Sequence, residues 1–145
     1  MAYVTRVALL ALVVAGCALV PAPADGRLVT VEAHGGRCVE GECRRVFAIE
    51  SDGLVHQLEP DEAEIHRVTD ETIDVYRAAL SVTDFNAIRS KPFTGECPTA
   101  FDGMEVVYTF ATPAGPERIA SCDVDIDRQA PLFVAVDAIL GANAP

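Results

Sequence analysis

The chain predicts an α+β domain: an antiparallel sheet of about five strands with two helices packed on one face, in the order β-β-β-α-β-β-α. Three observations carry this expectation. Short runs of alternating apolar residues are joined by glycine- and proline-bearing turns, as in hairpins. Two segments carry apolar residues at helical spacing. No connection provides a series of βαβ crossovers, so the helices gather on one side of an antiparallel sheet.

The elements follow in order. Leu28 to His34 alternates, with Val29, Val31 and Ala33 on one face. His34-Gly35-Gly36-Arg37-Cys38-Val39-Glu40-Gly41-Glu42-Cys43 is a glycine-rich turn that its own cysteines can staple. Arg44 to Glu50 is a second strand, and Ser51-Asp52-Gly53 is a hairpin turn leading into a third, Leu54 to Leu58. Glu59-Pro60-Asp61-Glu62 breaks the pattern and, with Ala63-Glu64, reads as a solvated acidic loop. Thr69 or Asp70 caps a helix whose Ile73, Tyr76, Ala79 and Leu80 share a face, and Asp70 and Glu71 suit its dipole. Phe85 and Ile88 continue that face in a second short turn. Residues 90–103 form an irregular loop. Met104 to Ala111 and Glu117 to Ile126 are strands joined by Pro113-Ala114-Gly115-Pro116. Pro131 opens the last helix and Gly141 closes it.

The start of the chain predicts an address. Val14-Ala15-Gly16-Cys17 follows an apolar run that begins at Val7 behind Arg6 and ends before Pro21. A spanning helix needs about 20 apolar residues, so this shorter run suits a signal peptide. The small residues before Cys17 form a lipobox, making residues 1–16 a lipoprotein signal, Cys17 the lipidated residue, 17–26 a tether and 27–145 a single domain. Ala22-Pro23-Ala24 is a rival site for simple secretion. The expected location is the bacterial cell envelope, lipid-anchored and facing outward from the cytoplasmic membrane, or else the exterior.

Cysteine parity agrees. Of five cysteines, giving Cys17 to lipid leaves Cys38, Cys43, Cys97 and Cys122, enough for two disulfides in three connectivities. We favour Cys38–Cys43 and Cys97–Cys122, because each pair falls within one hairpin region. Zinc is disfavoured: Cys38 and Cys43 lack ribbon spacing, Cys97 and Cys122 are far apart in sequence, and an oxidising compartment favours disulfides.

The formal net charge is −11, which repels nucleic acid and anionic lipid headgroups and excludes DNA or RNA as partners. His34, His56 and His66 show neither helical metal spacing nor an adjoining serine motif, so no catalytic residue and no cofactor is expected. Asp123-Val124-Asp125-Ile126-Asp127 could aim three carboxylates at a cation from a strand. As an EF-hand loop it fails: Arg128 stands where glycine is needed and Val134 where a glutamate is needed. Phe93 and Phe101, on the loop pinned by Cys97, are the candidate partner contacts, unless both rings plug the open end of the core.

The run Gly36-Arg37-Cys38-Val39-Glu40-Gly41-Glu42-Cys43, with Val46-Phe47-Ala48-Ile49 and Ser51-Asp52-Gly53, resembles an uncharacterised family of bacterial secreted lipoproteins with a cysteine-bearing N-terminal hairpin. The resemblance spans most of residues 28–140 and implies a helix, a hairpin and a C-terminal helix after that opening. The family spaces its cysteines one residue closer and follows them with proline, where this chain has Arg44. Gly35-Gly36 and Arg44-Arg45 more distantly resemble emfourin-like inhibitors of thermolysin-type proteases, with no inhibitory residue matched. The expected function is a membrane-anchored, non-catalytic binding module with an unknown protein partner. The alternative is an inhibitor of a secreted thermolysin-type protease.

Overall fold

In the computed structural model the described residues are 26–38 and 41–145, the side chains of Cys38, Glu42 and Ala142 excepted. The signal segment, Cys17 and nearly all of the tether therefore lie outside the described residues.

Among the described residues the fold is α+β, as expected, with six strands where about five were expected and three helices where two were. The strands are β1 (Arg27–Cys38), β2 (Gly41–Glu50), β3 (Leu54–Glu59), β4 (Ala63–Arg67), β5 (Met104–Thr112) and β6 (Gly115–Ala120). They form one sheet in the order β4-β3-β2-β1-β5-β6, with every neighbouring pair antiparallel. The helices are α1 (Asp70–Ser81), α2 (Phe85–Arg89) and α3 (Pro131–Leu140). Among the described residues, no helix is long and apolar enough to cross a membrane.

The unexpected strand is β4. Pro60 and its acidic neighbours do interrupt β3, but they make a turn and the chain returns at Ala63. Ile65 is the one large apolar side chain in Ala-Glu-Ile-His-Arg, so the alternation is too faint to announce a strand. It persists because edge strands tolerate polar, exposed side chains. His66 Nε2 lies 2.8 Å from the Ile139 carbonyl and ties this edge to α3. The last strand is shorter than expected. It stops at Ala120, and Cys122 sits in the turn beyond it. β1 is longer than expected and runs through Gly35 and Gly36, which were read as part of the turn.

Local chemistry explains the joints. At Ser51-Asp52-Gly53, the Asp52 carboxylate accepts from the Leu54 amide at 3.1 Å, and Gly53 takes φ +83° against the Val68 carbonyl. Thr69 caps α1 by accepting from the Thr72 amide. Asp84 caps α2 by accepting from the amides of Asn86 and Ala87.

The core lies between one sheet face and the helices. β1 contributes Val29 and Val31, β2 Phe47 and Ile49, and β5 Tyr108 and Phe110, all at matched register. From α1 come Ile73 and Tyr76, and from α3 Leu132, Phe133, Val136 and Ile139. Phe133 meets Tyr108 and Phe110 edge-on at 5.1 and 6.0 Å. Burying each such side chain contributes about 1.5–3 kcal/mol. The two core phenols have partners: Tyr76 donates to the Leu28 carbonyl at 3.1 Å, and Tyr108 accepts from Arg128 at 2.6 Å. Arg128 also grips Asp137 of α3.

These phenols give a stability prediction at alkaline pH. Burial pushes Tyr108 up to about 12 and raises Tyr76 as well. An unfolded tyrosine ionises near pH 10. Above that pH the native state retains protons that the unfolded state has released, so stability falls as pH rises. The expected slope is about 1.4 kcal/mol per pH unit for each lagging phenol, between about pH 10 and 12. Urea melts with phenolate absorbance measure it; a flat profile through that window would contradict the burial of these hydroxyls.

Candidate functional site

The loop between α2 and β5 is more ordered than its sequence suggests. Pro92 bridges to Val124, the Phe93 amide donates to the Asp123 carbonyl at 3.1 Å, and the Asp125 amide donates to the Lys91 carbonyl at 2.8 Å. The loop is thus paired with the segment after β6, and the Cys97–Cys122 disulfide closes the same seam across a Cα separation of 5.2 Å. Pro98–Phe101 forms a 3-10 turn against β1 and β5. It sits so close that a Cβ on Gly35 would lie 2.7 Å from both Thr99 Cγ2 and the Gly103 carbonyl, which explains a glycine there.

The two rings on this loop separate. Phe101 is 69% exposed at the tip of the 3-10 turn. Phe93 is half-buried and folds over Gly95. Neither belongs to the apolar core cluster. Of the disulfides, Cys97–Cys122 is formed as expected. Cys43 is disulfide-bonded, while the side chain of Cys38 lies outside the described residues. The backbone register sets Gly35 opposite Cys43 and Cys38 opposite Gly41.

The acidic run after β6 is no carboxylate cage. Asp123 pairs with Arg118 at 3.2 Å and Asp127 accepts from the Gln129 amide at 2.9 Å, while Val124 is buried. Among the described residues the three carboxylates do not converge within ligand distance.

A second cluster occupies the sheet face opposite the helices. Glu32 and His34 stand two apart on β1 and so point the same way. The register sets Arg44 of β2 and Glu105 of β5 on either side of His34. His34 Nε2 is 3.1 Å from Glu105 Oε2, and Nδ1 faces Glu32 Oε1 at 3.3 Å. That buried Nδ1 makes no hydrogen bond among the described residues, although Glu32 Oε1 stands 3.3 Å away. Arg44 donates to Glu32 at 2.9 Å and also pairs with Glu59 of β3. The hydrogen bond from Arg44 holds the Glu32 carboxyl below its ordinary pKa, against the opposing effect of burial. Glu105 lies beside the disulfide sulfurs. Sequence reasoning missed this cluster. The Glu32-x-His34 spacing was visible, but Arg44 and Glu105 join it only through the pairing of β1 on both sides.

Farther along the same face, Arg27, Leu28, Thr30, Thr109, Thr112 and Pro116 line an open groove of about 370 Å³. His56 stands on this face opposite Ala48, remote in register from His34. His66 is engaged with α3. The three histidines therefore do not gather. No family model, no curated protein and no solved structure matches the chain.

The disulfide closes 25 residues of chain and anchors the loop to the sheet edge. By the loop-entropy relation, replacing Cys97 and Cys122 together by serine should cost about 3.5 kcal/mol, against about 2 for the shorter closure expected between Cys38 and Cys43. Urea melts of the two double variants test the ranking; equal or reversed losses would make the small hairpin turn the stronger fastener.

Proposed function

We propose that the protein is a lipid-anchored envelope module that binds a protein partner through the braced loop at Phe93–Gly103. The observation that carries this reading is Phe101, a large aromatic ring 69% exposed on a turn held by a disulfide and by strand-like pairing. A rigid aromatic anchor loses little conformational entropy on docking, and such residues dominate interface energies. Phe93, half-buried against Gly95, serves as a lesser contact. The reading of Val14-Ala15-Gly16-Cys17 as a lipobox, followed by a proline-bearing tether over 17–26, supports the membrane anchor. The strong acidity suits a protein partner with a basic surface better than lipid headgroups or nucleic acid.

One experiment tests anchor and contact together. In a bacterial host, the chain should sediment with membranes, and Cys17→Ser should shift it to the soluble fraction or leave it unprocessed. Phe101→Ala should stay on the membrane with an unchanged melt, yet lose chemical cross-links formed by the unmodified chain. A soluble mature chain starting at Asp25 would overturn the anchor. Cross-links unaffected by Phe101→Ala would overturn the contact, and inhibition of a thermolysin-type protease by the unmodified domain would replace the reading with the inhibitor alternative.

A further inference from the structure

The groove on the sheet face opposite the helices is lined in part by the residues at which the chain enters the fold. Arg27 and Leu28, at the start of β1, supply one part of its lining, and Ala111, Gly115 and Pro116 of the β5–β6 hairpin supply another. Thr30 and Thr109, also in the lining, are paired directly across β1 and β5. The groove is open and holds about 370 Å³. A Cβ added to Gly115 would meet nothing within 4 Å, so the hairpin leaves space above itself here.

Place, length and chemistry all match the chain's own tether to this groove. Residues 17–25 lie outside the described residues, and the chain enters at Gly26. Gly26 takes φ +77°, a left-handed turn of the backbone, and its carbonyl accepts from the Ser51 amide at 2.7 Å, which fixes the entry point to the sheet. The nine residues before it can span up to about 30 Å, ample to cross the groove. Ala18-Leu19-Val20-Pro21-Ala22-Pro23-Ala24 is apolar and uncharged, and the lining offers Leu28, Ala111, Pro116 and threonine methyls. The tether's single charged side chain is Asp25, and that of the lining is Arg27, of opposite sign. An open groove holds a free ligand weakly. A segment attached to the lining itself meets it at an effective concentration in the millimolar range, and its prolines limit the freedom lost on docking.

We propose that the tether docks in this groove through Val20–Ala24 and holds the domain in one orientation relative to its N-terminal end. β1 runs from Arg27, beside the groove, to Gly35, where the Pro98–Phe101 turn rests on it. At about 3.3 Å per residue that stretch of strand sets the turn roughly 25 Å from the groove. Docking takes up the slack of the tether at one end of the sheet and presents Phe101 at the other. On a membrane, the contact loop then meets a partner beyond the lipid surface rather than one within it. This consequence rests on the membrane-anchor reading; the docking itself does not.

Photo-cross-linking in the full chain, exported by a bacterial host, tests this. The variant Ala22→benzoylphenylalanine is irradiated, the product is sized on a denaturing gel, and the linked peptides are mapped by mass spectrometry. Links within one chain are expected, joining position 22 to the peptides spanning 27–30 and 109–116. Ala111→Trp, which fills the groove, should reduce them to the level of chance links to α1 and α3. If that variant melts well below the unmodified chain, the triple change Val20→Gly, Pro21→Gly and Pro23→Gly, confined to the tether, must give the same loss at unchanged Tm. The proposal is overturned if α1 and α3 are linked as often as the groove, if the links join two chains, or if groove links persist in the tether variant. A mature chain that begins at Asp25 has no tether and overturns it equally. Fractionation reads the anchor separately. Groove links in a chain recovered from the soluble fraction uphold the docking and overturn the anchor alone, whereas a membrane-bound chain without groove links overturns the docking alone.

Discussion

Pairing of β1 on both edges is the constraint on which the rest of the structure depends. β1 is hydrogen-bonded to β2 along one edge and to β5 along the other. Without it the sheet falls into two pieces, β4-β3-β2 and β5-β6, with no hydrogen bonds between them. The helices pack across both pieces, so their burial also presupposes that β1 is in place. Val29 and Val31 show no exposed surface at all, as expected for the middle of a six-stranded sheet under a helical layer.

The same strand organises the opposite face. A β-strand alternates its side chains, so a residue sequence that buries Val29, Val31 and Ala33 must turn Thr30, Glu32 and His34 the other way. The charged group around His34 is therefore a product of register. A slip of one residue would drive Glu32 and His34 into the apolar core, and burial of unpaired charge there is costly. The core face thus locks the alignment of Arg44 and Glu105 about the imidazole. Gly35 extends the strand to the point where the Pro98–Phe101 turn settles on it, which brings the disulfide beside the same group.

Much of the fold was legible in the sequence because its signals are local. The Ser51-Asp52-Gly53 turn, the Thr69 cap and the Pro131 start each depend on neighbours within a few residues, and each lies where the pattern places it. β4 was hidden because it is an edge strand with little apolar surface, stabilised by a partner and by His66 rather than by its own alternation. The end of β6 was misjudged because Val124 and Ile126 continue an apolar alternation beyond the last ladder bond; Val124 is buried by the returning loop instead. Cys97–Cys122 followed from parity and hairpin placement. The group at His34 did not, since it joins residues from three strands across two registers. The separation of Phe101 from Phe93 was equally hidden, because composition cannot tell which ring of a loop folds inward.

The most direct test is hydrogen exchange resolved by residue. If β1 joins the two halves of the sheet, its amides between Val29 and Ala33 are freed only when the whole domain opens. They should be the slowest in the chain, with an opening free energy equal to that from urea melts, while β4 amides exchange through local fraying. The account would be contradicted if β1 exchanged as readily as β4, or if the β5-β6 hairpin kept its protection after β1 had lost its own.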